Sequence, residues 1–196
     1  LETMCGGKRG VRDADPSGLG DWDSYAAIHE FPIEEYEKAK SEILVEGYCD
    51  TAIVTLSRTA AEGSALSMDL DGDGSTVNGT TYLELDDNER NLMKFCKENF
   101  KHTIVLLNTS SAMEIGFLDS EEYNVEACLW IGHPGDAGLV GVGKLITGAV
   151  NPSGRLVDTW AYDVSTNPTF YNMDNNRYAN GQDADNNTFY QYEEGI

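Results

Sequence analysis

Glu62 stands in the stretch Leu56-Ser57-Arg58-Thr59-Ala60-Ala61-Glu62-Gly63-Ser64, just past an apolar, strand-like run from Ala52 to Leu56. Ala60, Ala61, Gly63 and Ser64 offer little bulk to cover a carboxylate. An acid so placed can give and take a proton at a bound molecule, as a general acid or base. The same position also suits an ordinary solvated acid on a loop. Two further motifs invite other chemistry. Gly138-Leu139-Val140-Gly141-Val142-Gly143-Lys144 fits the GxxxxGK part of a phosphate-binding loop, but Leu145 follows where Mg²⁺ binding needs Ser or Thr. Asp69-Leu70-Asp71-Gly72-Asp73-Gly74 resembles the start of a calcium loop, yet Thr80 occupies the position of the bidentate acid. A solvated acidic loop is expected there, with no metal site. No cofactor is expected either.

Charge narrows the partners. The chain of 196 residues carries 34 Asp plus Glu against 13 Lys plus Arg, a formal net charge of -21. Nucleic acid would be repelled, so neutral or cationic partners are expected, or acidity that serves solubility alone. No apolar run approaches the roughly 20 residues of a membrane-spanning helix, and no membrane partner is expected. Cys5, Cys49, Cys96 and Cys128 show no close pair and no metal-ligand spacing. Cys96 and Cys128 fall in apolar patterns, where a thiol acts as a small buried hydrophobe. The chain starts at Leu1 and ends in Glu194-Gly195-Ile196, and reads as a piece of a longer protein. Compartment does not follow from it.

The elements that must position Glu62 follow from periodicity. Pro32 suits the first turn of a helix carrying Ile33, Tyr36, Ile43 and Leu44, with Gly47 as its stop. A strand at 52–56 follows. Asp86 and Glu89 form a capping-box pattern ahead of the stripe Leu92, Cys96 and Phe100. Residues 102–107 and 125–131 read as buried strands, with Trp130 in the core. Pro134-Gly135-Asp136 turns into a buried helix with Leu139, Leu145, Ile146 and Val150, its glycines allowing close packing. Asn151-Pro152-Ser153-Gly154 makes a turn, and 155–160 a further strand. This alternation predicts an α/β fold, a three-layer α/β/α sandwich with a mostly parallel central sheet, flavodoxin-like. An irregular segment at 1–31, a core at 32–165 and a long loop at 166–196 would then form one domain. The carboxyl ends of parallel strands form the rim where ligands bind, and Glu62 falls there.

Four segments resemble, in order, a known family. They are IVTLSRTAAEGS (53–64), TIVLLNTSSAMEI (103–115), LWIGHPGDAGLVGVGKLITGAVNPSGRLVDTW (129–160) and YEEGI (192–196). Together they are similar to the second, α/β-sandwich domain of glycoside hydrolase family 3 β-glucosidases. The resemblance implies a retaining hydrolase of terminal β-glycosidic bonds. Its nucleophilic Asp would sit on a TIM-like barrel domain absent from this chain, and Glu62 would be the general acid/base. The substrate implied is a β-linked glucoside or oligosaccharide. Glu193 or Glu194 could also reach such a site, or simply form a Glu-Gly turn before a strand. Trp22 and Tyr25 are free to stack on a sugar. Two rivals remain: a non-catalytic carbohydrate- or calcium-binding module resting on Asp69–Asp73, and a flavodoxin-like nucleotide binder resting on Gly138–Lys144.

Overall fold

In a computed structural model of the protein, residues 11–12, 28–45, 50–58 and 81–167 are described. Two short strands, β1 (Val11–Arg12) and β2 (Ile28–His29), pair antiparallel. The main sheet has the order β3-β4-β5, formed by Thr51–Arg58, His102–Thr109 and Val125–Trp130, and every pairing in it is parallel. Helices α1 (Ile33–Ile43), α2 (Asp87–Asn99) and α3 (Gly135–Ile146) complete the α/β sandwich plan.

Local signals explain most of these boundaries. Pro32 is the N-cap of α1, and the helix stops at Ile43, where the Leu44 N–H donates to the Lys40 carbonyl at 2.8 Å. Gly47, the expected stop, lies outside the described residues. Helix α2 starts on a complete capping box. The Asp86 side chain accepts from the Glu89 N–H at 2.7 Å, and Glu89 Oε2 accepts from the Asp86 N–H at 2.9 Å. Two donors that a helix start leaves without partners are thereby satisfied.

The core lies between α2 and one face of the sheet. Leu92, Met93, Phe95 and Cys96 of α2 meet Ala52, Val54 and Leu56 of β3 and Val105 and Leu107 of β4. Alternation along β3 dictates this, since residues two apart share a face. Tyr36 of α1 tilts against Phe95, ring centroids 6.1 Å apart. The centre of β4 is buried on both faces, because Val105, Leu106 and Leu107 are consecutive and buried. Burial also pushes the Cys96 thiol up to about 12, helped by the nearby Glu30 charge, so this cysteine is the inert hydrophobe expected.

Four expectations fail on the far side of β5. Residues 155–160 form no strand, and Val157 is 83% exposed. Strand formation needs a neighbouring ladder, and instead this segment borders a cavity of about 830 Å³ lined by β5 and α3. Helix α3 is not buried: among its residues only Val142 is, while Leu139 and Val140 face outward. Nothing described lies within 4 Å of a Cβ built on Gly141 or Gly143, so the close packing expected of these glycines is not seen among the described residues. Cys128 is exposed, not buried. The chain is held beyond this region at Gly116, whose N–H donates to the Tyr162 carbonyl at 3.1 Å. A Cβ there would stand 2.5 Å from that carbonyl oxygen, so only glycine permits the approach.

Candidate active site

The carboxyl ends of β3, β4 and β5 place Arg58, Asn108, Thr109 and Trp130 along one rim. Strand β3 runs through Ser57 and Arg58, two residues further than the apolar run suggests. Arg58 continues the inward face of Ala52, Val54 and Leu56, and it is 2% exposed. A charge at a core position needs full compensation. Here every guanidinium N–H finds an acceptor. Nε donates to the Tyr82 carbonyl at 2.6 Å. Nη1 donates to the Ser57 carbonyl at 2.9 Å and to Glu89 Oε1 at 2.6 Å. Nη2 donates to the Glu84 carbonyl at 2.6 Å and to Glu89 Oε2 at 2.7 Å. The guanidinium also lies 5.4 Å from the centroid of the Tyr82 ring.

Burial works against the Arg58 charge, but the Glu89 carboxylate more than offsets it and raises its pKa above the ordinary value. Burial likewise pushes the Glu89 carboxyl up, while the two guanidinium bonds hold it back. With its donors occupied, Arg58 is not an anion-binding group. It fixes backbone.

Further along the rim, Trp130 Nε1 donates to the Thr109 carbonyl at 2.8 Å. Trp130 is 37% exposed and meets Trp160 edge-to-face at 5.9 Å, so it belongs to the rim and not to the core as its strand position suggested. Aromatic side chains with a polar handle often sit so, one end apolar and the other hydrogen-bonded. After β5 the chain turns through Gly132 and Gly135, both at positive φ, and sets His133 Nδ1 3.3 Å from Asn108 Oδ1. The phosphate-loop motif fails on geometry. Gly138 to Lys144 lie wholly within α3, with no loop to cradle a phosphate.

Glu62, Asp69, Asp71, Asp73, Thr80, Glu193, Glu194, Trp22 and Tyr25 lie outside the described residues. Among the described residues, no group of three or more His, Cys, Asp or Glu could hold a metal ion. None of the described helices is long and apolar enough to cross a membrane.

A family model described as the glycosyl hydrolase family 3 C-terminal domain matches residues 21–196. The chain belongs to this family. It is 34% identical over 133 residues to a beta-glucosidase from Ruminococcus albus, covering 66% of this chain and 13% of that protein. It is 27% identical over 155 residues to thermostable beta-glucosidase B from Acetivibrio thermocellus, covering 71% of this chain and 20% of that protein. A solved beta-glucosidase structure from Paenibacillus barengoltzii shares the fold, with a TM-score of 0.56 at 24% identity over 76% of this chain and 14% of that one. The chain thus spans a fifth or less of the length of these relatives.

In this family 3 domain the sequence reading overlooked the Arg58–Glu89 pair, although a signal was present. Arg58 falls on the core face of β3 by simple alternation, and Glu89 is the third residue of a capping box, so each charge was due a partner. The Asn108–His133 contact had no comparable signal, since it joins the ends of separate strands.

A smaller site element is testable by pH. Glu114 donates its N–H to the Leu83 carbonyl at 2.8 Å, and its Oε2 accepts from the Val164 N–H at 3.0 Å. Burial raises its carboxyl pKa; the Val164 bond and Arg90 oppose this, and Glu84 and Asp163 add to it. A raised folded pKa means the folded state holds the proton more tightly than the unfolded chain. Its stabilising contribution is therefore full below the ordinary carboxylate range and is lost as pH rises through the folded value. Glu114→Gln keeps an acceptor for Val164 and should remove this decline. Urea midpoints measured across the acid range check it, and an unchanged decline in the variant would rule Glu114 out as its source.

Proposed function

We propose that this chain is the acid/base-bearing domain of a retaining glycoside hydrolase acting on β-linked glucosides. The observation that carries the reading is the family match across residues 21–196, which includes the Glu62 segment. The names of the relatives, beta-glucosidase in two organisms, support the substrate class. The end of β3 at Arg58, on the ligand-binding rim of a parallel sheet and four positions before Glu62, supports its role.

Retention requires two carboxyl groups roughly 5 Å apart. The nucleophile is an Asp on a barrel domain of the same protein, outside this chain. It attacks the anomeric carbon as the glycosidic bond breaks, and Glu62 gives its proton to the departing oxygen. Glu62, now a carboxylate, then takes a proton from water as the water attacks the glycosyl-enzyme. The sugar leaves with its configuration kept, and both carboxyl groups return to their starting states. A general acid of this kind must begin protonated and end the first step as a carboxylate. Residues 1–31, 32–165 and 166–196 all belong to one domain of this split site.

One test is direct. Purified residues 1–196 should show no turnover of aryl β-glucosides, because the covalent route needs the absent nucleophile. Turnover by the isolated chain, abolished by substituting an acid within it, would overturn the split site.

A further inference from the structure

We propose that the open side of β5, facing α3 and residues 151–156, is the seat of an extended apolar segment of the same polypeptide from outside residues 1–196. The inference is independent of the acid/base reading. It starts from a mismatch between the β5 residues and their surroundings. Strand β3 buries every second residue and β4 its centre, whereas β5 buries none. Yet β5 is apolar on both faces, with Val125, Ala127 and Leu129 alternating against Cys128 and Trp130. Parallel strands of that kind lie inside a sheet, covered on both sides. Natural sheet edges are blunted by lysine, proline or irregular pairing. Strand β5 holds neither residue, and its one register shift lies at its start. Its only charge, Glu126, is engaged by His102 of β4 at 2.8 Å. No strand lies on its far edge among the described residues.

The space beside that edge has the lining of a protein interior. It is the cavity of about 830 Å³ between β5, α3 and residues 151–156. Among the described residues no carboxylate lines it, in a chain where 34 of 196 residues are Asp or Glu, and Arg155 is its only charge. Surfaces that protein covers are depleted of charge in this way. Gly141 lines the same space from within α3, and nothing described lies within 4 Å of a Cβ built on it. Glycine weakens a helix interior, and a backbone passing close by is what makes use of it. An edge of backbone donors and acceptors takes an extended segment, which joins it as a further strand. A second copy of this chain is disfavoured, because each carries a net charge of -21 and like charges repel. Residues 168–196 hold one branched aliphatic, Ile196, against five carboxylates, a poor match for a lining of Leu, Ile and Val. The relatives extend well beyond the matched region, since this chain covers 13% and 20% of two of them. A segment held on the same polypeptide also pays little entropy of association.

The test uses the full-length protein with photoreactive benzoylphenylalanine in place of Leu156, a cavity-lining residue that is 50% exposed. After irradiation and digestion, mass spectrometry identifies the cross-linked peptides. The expected product joins position 156 to a peptide outside 1–196 of the same molecule, in a yield unchanged by about a hundredfold dilution. Cross-links between molecules, fading on dilution, would make a second copy the occupant and overturn the proposal. Cross-links confined to residues within 1–196 would overturn it as well, and so would the absence of any cross-link. A second measurement adds charge to the same space. Cys128→Lys should lower the melting temperature of the full-length protein by about 5 °C or more, with Cys128→Ser within about 2 °C of the unaltered protein. Equal melting temperatures for the two variants would mean that water fills the space, and would overturn the proposal. If Cys128→Lys does not fold, the cross-link alone decides.

Discussion

Glu62→Ala in the full-length protein is expected to cut turnover of β-glucosides with poor leaving groups by about 10² to 10⁴-fold, the usual worth of general acid catalysis. Activated aryl glucosides should suffer far less in the first step, since their phenolates leave without a proton. Hydrolysis of the glycosyl-enzyme should slow for every substrate, because the same carboxylate activates water. Those substrates should then show a burst followed by a slow steady state. Azide needs no base, so adding it should restore turnover and give a β-glycosyl azide. Product analysis by NMR and a leaving-group series check both halves. Equal slowing of good and poor substrates, with no azide rescue and unchanged folding, would move the acid to another residue. Glu193 and Glu194 would be the next to substitute.

Glu89→Ala is expected to produce the largest loss of stability of any single charge removal among the described residues. It leaves the guanidinium of Arg58 buried without a counter-ion, which costs about 3–5 kcal/mol. It also deletes the acceptor for the Asp86 N–H, half of the capping box that starts α2. Domains hold only about 5–15 kcal/mol in total, so this loss is a large share. The ion pairs of Lys38 with Glu35 and Lys94 with Glu122 lie on the surface, and water screens them. Urea unfolding should show a lowered midpoint with an unchanged slope. Replacing both partners, Arg58→Met with Glu89→Leu, should recover part of the loss, since no charge is then stranded. A midpoint for Glu89→Ala no lower than that of Lys38→Ala would mean the pair is not desolvated as the structure places it.

Where local chemistry decides an element, its residues announced it. Asp86 and Glu89 marked the start of α2 because their hydrogen bonds close within four residues. Thr103 to Leu107 marked β4, since a strand buried on both faces has no polar alternation. Legibility ended where the outcome depends on a neighbour. Residues 155–160 have the composition of a strand but find no ladder partner among the described residues, and Trp130 has a strand position but ends its strand on the rim. Leu139 and Val140 carry an apolar pattern that nothing described covers. For the site, the family likeness singled out Glu62, whereas the partners of Arg58 between residues 82 and 89 were not read from the sequence. Alternation marks Arg58 as facing the core, but carries no trace of which distant residues it meets there.

The parallel pairing of β3 with β4 has a consequence for the length of what lies between them. Thr51 pairs with His102, whereas Thr103 pairs with Val125, so the first closure spans a little over twice as many residues as the second. Closure entropy grows only logarithmically, and a doubling costs about 0.6 kcal/mol. Lengthening or shortening the segment between Arg58 and Thr81 by several residues therefore barely alters the free energy of joining the two strands. The β-ladder is nearly indifferent to that length. Insertions and deletions at the rim are thus thermodynamically cheap, leaving the reach of the chain toward a bound molecule free to vary while the register beneath it stays fixed.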